Sequence, residues 1–211
     1  MPLYVFKDQA KEIEIPIFFI HIPKCGGTTI KAFFDHLICD AFLVPKQYKG
    51  VQKYLKIPPA HYGITLLEKL FVLDRIYSFA IVRNPYDRML SDYRWAKTNT
   101  VNPEMFQNMS FEEFCIYCTE QYLLDSTYLD NHVTPQHMFI SHNVNKVFKF
   151  EDGLESAMRE VFVDNRLELS SKLLLPKLNV SSGENLVLNQ KTKDLIYEFY
   201  VEDFKTFGYE R

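Results

Sequence analysis

Seven consecutive residues near the start of the chain, Pro23-Lys24-Cys25-Gly26-Gly27-Thr28-Thr29, bring together one cation, two glycines and two hydroxyls. That set suits an oxyanion. Glycines let the backbone approach a ligand closely, the first N–H groups of a following helix point outward without intrahelical partners, and Lys24 adds a full charge. The hydroxyls of Thr28 and Thr29 are placed to cap such a helix or to donate to the anion. Because Lys24 precedes the glycines, the order differs from the G-x-x-x-x-G-K-[ST] loop of nucleoside triphosphatases. The plainer alternative is a capped strand–helix turn with a solvated lysine. A second basic group stands in Val82-Arg83-Asn84-Pro85-Tyr86-Asp87-Arg88-Met89-Leu90-Ser91-Asp92-Tyr93. The Arg83 guanidinium is a planar fork that matches a phosphate, and Ser91, farther along, offers a hydroxyl to the same group. Asp87 and Arg88 read as a surface pair of little energetic weight.

These groups need elements to hold them. Ile15–His21 is a continuous apolar run, as a buried parallel strand requires, and from Thr28 onward Ile30, Phe33, Phe34, Leu37 and Ile38 recur at helical spacing. The unit repeats: residues 77–82 predict a second strand, and residues 86–95 a helix begun near Pro85. A third strand is expected at residues 146–150, then a helix to about Val163 with acidic residues near its start, and Ile196, Phe199, Tyr200, Phe204 and Phe207 mark a C-terminal helix. Both basic groups follow the carboxyl end of a strand, where open α/β sheets bind ligands. The expectation is one α/β domain over residues 1–211, three-layered, with a mostly parallel sheet. Residues 46–60 and 170–183 read as long polar loops.

Composition narrows the classes. At 47% hydrophobic and 24% charged residues, the 211-residue chain has the make-up of an ordinary globular domain. Residues 1–100 carry 14 Lys and Arg against 9 Asp and Glu, and residues 101–211 carry 10 against 18. The first half is therefore suited to an anion, while a net charge of −3 argues against a nucleic-acid surface. Cys115 and Cys118 have no second pair at zinc-ligand spacing, so they read as buried helix thiols, and no metal is expected. The sequence has no signal-peptide h-region and no apolar run near the roughly 20 residues of a membrane span. A cytoplasmic location is the expectation, with a trimmed luminal domain of a Golgi-type enzyme as the alternative.

His21-Ile22-Pro23-Lys24-Cys25-Gly26-Gly27-Thr28-Thr29 resembles the 5′-phosphosulfate loop of carbohydrate-type sulfotransferases, and the stretch from Phe79 to Tyr93 resembles their 3′-phosphate motif, in the same order. The resemblance implies a P-loop nucleotide-kinase-like fold and 3′-phosphoadenosine 5′-phosphosulfate (PAPS) as donor. Carried over by residue, Lys24, Cys25, Gly26, Gly27, Thr28 and Thr29 would hold the 5′-phosphosulfate, and Arg83 and Ser91 the 3′-phosphate. Lys24 would also stabilise the leaving oxygen. His61, in Pro58-Pro59-Ala60-His61-Tyr62-Gly63, resembles the base of the heparan sulfate 2-O-sulfotransferase-like branch; His21, Asp35, Asp92, His132 and His137 are rivals for that role. His132 and Gln136 fall in a segment that recurs in the family. Lys177, Asn179 and Ser181 resemble a late loop near the nucleotide. Cys25 departs from the small residues common at its position, and a thiol beside Lys24 and a helix N-terminus is expected to ionise early.

The implied reaction is sulfonate transfer to a hydroxyl, with a saccharide as the expected acceptor. Lys46, Lys49, Lys53 and Lys56, interleaved with Tyr48 and Tyr54, read either as a contact for an acidic glycan or as a solvated face. A non-catalytic nucleotide-binding or interaction protein is the alternative, and a P-loop-type kinase a more distant one.

Overall fold

The computed structural model describes residues 2–8, 13–37, 39–42, 50, 54–99, 103–168 and 188–211. Lys46, Tyr48, Lys49, Lys53, Lys177, Asn179 and Ser181 lie outside them.

Five strands, β1 (Leu3–Asp8), β2 (Ile13–Ile20), β3 (Asp40–Phe42), β4 (Tyr77–Val82) and β5 (Lys146–Lys149), form one sheet in the order β3-β1-β2-β4-β5. The three strands foreseen are β2, β4 and β5, and they run parallel, with Phe19 opposite Phe79 and Ile81 opposite Phe148. Ile17, Phe18, Phe19 and Ile20 in β2, and Phe79, Ala80, Ile81 and Val82 in β4, are all buried, as strands covered on both faces must be. β1 extends the sheet antiparallel to both β2 and β3. Those two strands were not foreseen, because β1 alternates only Tyr4 and Phe6 inward and β3, at the edge, is three residues long.

Helices cover both faces. On one side, Tyr4 stacks on Phe34 of α1 (Gly27–Asp35) at 3.9 Å between centroids, and Phe6 meets Phe162 of α6 (Leu154–Asp164) edge-on at 5.6 Å. On the other, Phe18 packs on Phe71, just past α2 (Ile64–Leu70). A second apolar cluster joins α3 (Pro85–Asn99), α4 (Pro103–Gln107), α5 (Phe111–Leu124), α7 (Gln190–Phe199) and α8 (Val201–Phe207) through Met89, Phe106, Phe114, Ile196 and Phe204. Cys115 and Cys118 are free thiols buried in it, as expected. α5 opens on a full capping box between Ser110 and Glu113. The single C-terminal helix expected from its apolar spacing is two helices, broken where Tyr200 leaves helical geometry at φ −106°, ψ 23°.

For function the key fact is adjacency. β2 and β4 are parallel neighbours, so the loops leaving their carboxyl ends, at His21 and Arg83, open side by side.

Candidate active site

The first loop is held in an unusual backbone. Lys24 has φ +68° and Gly26 φ +82°, two left-handed residues that turn the chain sharply from β2 into α1. A left-handed lysine costs energy that the surroundings must offset, a pattern concentrated at functional sites. The glycines also answer to their neighbours: a Cβ on Gly27 would sit 1.9 Å from His21 Nε2, and one on Gly26 would meet Leu154 at 2.8 Å. Gly26 itself caps α1, so Thr28 and Thr29 are not caps as expected; they lie within its first turn, Thr28 exposed and Thr29 buried. The first intrahelical bond there is Ile30 N–H to Gly26 O, which leaves the N–H groups of Gly27, Thr28 and Thr29 without intrahelical acceptors.

The second loop is tied to the first. Arg83 Nη1 donates to Lys24 O at 3.3 Å, and its guanidinium lies 4.6 Å from the Phe150 ring centroid. Arg83 Nε is buried with no hydrogen-bond partner among the described residues. Gln136, fully buried, joins both loops through its amide: Arg83 N–H donates to Oε1, Nε2 donates to Arg83 O, both at 2.8 Å, and Cys25 Sγ donates to Oε1 at 3.4 Å. Arg88, expected as a surface ion pair with Asp87, is instead 2% exposed. It donates to Pro23 O, His132 O and Thr134 O at 3.1, 2.6 and 2.9 Å. Its helical register in α3 turns it inward, which dipeptide reading cannot see.

The family was decided by a comparison that covers nearly the whole chain: a model described as the sulfotransferase family matches residues 12–210. The chain belongs to the sulfotransferase family. Comparison with curated proteins and with solved structures gave no match. The chemistry of this sulfotransferase is therefore sulfonate transfer, and its two strand-end loops are the place to look for it.

A row of rings joins these loops to the candidate bases. His21 packs edge-on to His61, and His61 edge-on to His132, each at 5.1 Å; His132 lies 4.3 Å from Trp95, whose ring sits 5.3 Å beneath Lys24 Nζ. His61 Nδ1 bonds Asp130 O at 2.9 Å, and since a carbonyl only accepts, the ring proton is on Nδ1 and the Nε2 lone pair is available. Asn131 Nδ2 donates to His61 O at 2.8 Å. Leu129, Asp130 and Asn131 all have positive φ, so a short left-handed run presents both groups to His61. Burial, then the neighbouring His132 and His21, hold His61 well below the ordinary histidine value, and burial pushes His21 down to about 3. Both rings are neutral near pH 7.

Two rivals are engaged with other side chains. Asp35 is an exposed partner of Lys31 on α1, and His137 donates to the buried carboxylate of Asp203 on α8 at 2.8 Å. Cys25 is also corrected. It is 1% exposed, and burial pushes its thiol up to about 12, against the early ionisation expected from its charged neighbours. Of the basic stretch, Lys56 pairs with Asp125 at 3.2 Å and Tyr54 is exposed. Sequence reading left Gln136 without a role and missed Arg88, Trp95 and Asn131. A signal did exist in α3, where Arg88, Ser91, Asp92 and Trp95 recur at helical spacing, the pattern of a polar stripe facing inward.

Proposed function

We propose that this sulfotransferase moves a sulfonate from PAPS to an acceptor hydroxyl, with a saccharide as the acceptor class. The observation that carries the reading is the bond from Arg83 Nη1 to Lys24 O, which unites two cationic loops at the ends of adjacent parallel strands. A nucleotide charged at both its 3′ and 5′ ends matches that pair. The fit has independent support in the buried Arg83 Nε, without a hydrogen-bond partner among the described residues, and in the N–H groups of the first turn of α1 that lack intrahelical acceptors. PAPS supplies an activated sulfonate whose transfer places negative charge on the departing phosphate oxygen. Lys24 would stand against that oxygen, with Gly26, Gly27, Thr28 and Thr29 around the 5′ group; Arg83 and Ser91 would hold the 3′-phosphate. Only the backbone of Cys25 would face the ligand, because its side chain points into Gln136. His61 Nε2 accepts the hydroxyl proton as the acceptor oxygen bonds to sulfur, and burial has already made that ring neutral.

The test is ligand-specific. Adenosine 3′,5′-bisphosphate should raise the melting temperature and ATP with magnesium should not, since a ligand of the native state stabilises it. Lys24→Ala should cut turnover by about 100- to 1000-fold, as loss of one well-aimed donor does. His61→Ala should abolish most turnover while bisphosphate binding persists. A melting curve that neither nucleotide moves removes PAPS from the reading, and full turnover in His61→Ala removes the base. Release of bisphosphate from PAPS only with saccharide acceptors, measured across an acceptor panel by mass spectrometry, decides the acceptor class.

A further inference from the structure

Asp92 lies on α3 immediately after Ser91 and one turn before Trp95. It is 2% exposed. Its Oδ1 accepts from His132 Nδ1 at 2.6 Å, and its Oδ2 has no hydrogen-bond partner among the described residues. A buried carboxylate with one uncommitted oxygen is costly unless a cation compensates it. The ring bonded to Asp92 packs on Trp95, and Trp95 lies under Lys24 Nζ, so carboxylate and ammonium border the same stack of rings.

We propose that Asp92 is the counter-ion that keeps Lys24 positively charged inside this water-poor loop. The inference rests on the proposed role of Lys24 beside the leaving oxygen, where only the ammonium form stabilises developing negative charge. The surroundings make such a partner necessary. Arg83 brings like charge from β4's exit loop, while His21 and His61 are neutral and cannot compensate. Cys25 is held as the neutral thiol. Burial lowers the Lys24 pKa, Arg83 lowers it further, and Asp92 supplies the largest opposing effect. Asp92 is thus a positioning residue for charge, with His132 orienting it.

The experiment follows Lys24 itself in the full chain. Its labelling by trinitrobenzenesulfonate is measured across pH by peptide mass spectrometry, because only the neutral amine reacts. Wild-type protein should show a midpoint above pH 8; a midpoint below 7 overturns the proposal. Asp92→Asn should lower the midpoint by about one to three pH units, the usual effect of one close opposite charge, and the alkaline limb of kcat/KM for PAPS should move by the same amount. Asp92→Glu should keep the wild-type midpoint. If Asp92→Asn does not fold, Asp92→Ser, which leaves room for water, replaces it. An unchanged midpoint in the neutral variant with sulfonate transfer intact sinks this inference alone. A shifted midpoint with no sulfonate transfer in any variant leaves the counter-ion role standing and sinks the proposed function.

Discussion

A thiol beside a lysine and a helix N-terminus has two reasons to ionise early, and Cys25 shows how burial outweighs both. Its Sγ is committed to Pro23 O and Gln136 Oε1, and its value near 12 leaves almost no thiolate at neutral pH. Mild peroxide should therefore leave turnover unchanged in wild type and in Cys25→Ser alike; peroxide inactivation that Cys25→Ser prevents would contradict this. His137 is the opposite case, a histidine whose value is raised, first by its hydrogen bond to Asp203 and then by the charge of that carboxylate. The protonated ring favours the folded state. Its contribution is complete below the ordinary histidine value of 6.5 and is lost as pH rises through the higher folded-state value. Chemical denaturation from pH 6 to 9 should show stability falling over that window, and His137→Asn should flatten the fall.

The 132–137 segment is short and mostly irregular, yet it fastens three elements. Asp203 on α8 accepts from the N–H groups of Gln136 and His137 at 2.7 and 2.9 Å, Gln136 then holds the Arg83 backbone, and Arg88 from α3 holds His132 O and Thr134 O together with Pro23 O. A lysine in place of Arg88 carries the charge but lacks the planar fork that reaches three carbonyls. Arg88→Lys should cost about 3 kcal/mol in denaturant unfolding, since carbonyls left buried without donors lose their desolvation compensation. It should also weaken adenosine 3′,5′-bisphosphate binding, because Pro23 precedes Lys24. The strands and helices that frame this segment were legible from apolar periodicity. The segment itself was not, because polar side chains that bond backbone atoms of distant loops leave no period in the chain.

At the scale of the molecule, local order along the chain determined a great deal. The apolar runs that became β2 and β4, the basic residue after each, and the glycines that follow Lys24 specified the parallel part of an α/β sheet with candidate anion-binding loops at its strand ends. Those features are encoded within a few residues of one another, where periodicity and turn chemistry act directly. Only the tertiary structure decided which polar residues face inward together. It put Arg88 and Asp92 in the interior, placed His61 between His21 and His132, gave Gln136 its two loops, and made Cys25 a buried thiol. Each of those outcomes depends on burial and on partners far away in sequence, Gln136 standing 53 residues from Arg83 and 111 from Cys25. Solvent exclusion sets the strength of every charge and hydrogen bond in the site, and it is a property of the packed molecule rather than of any segment of its chain.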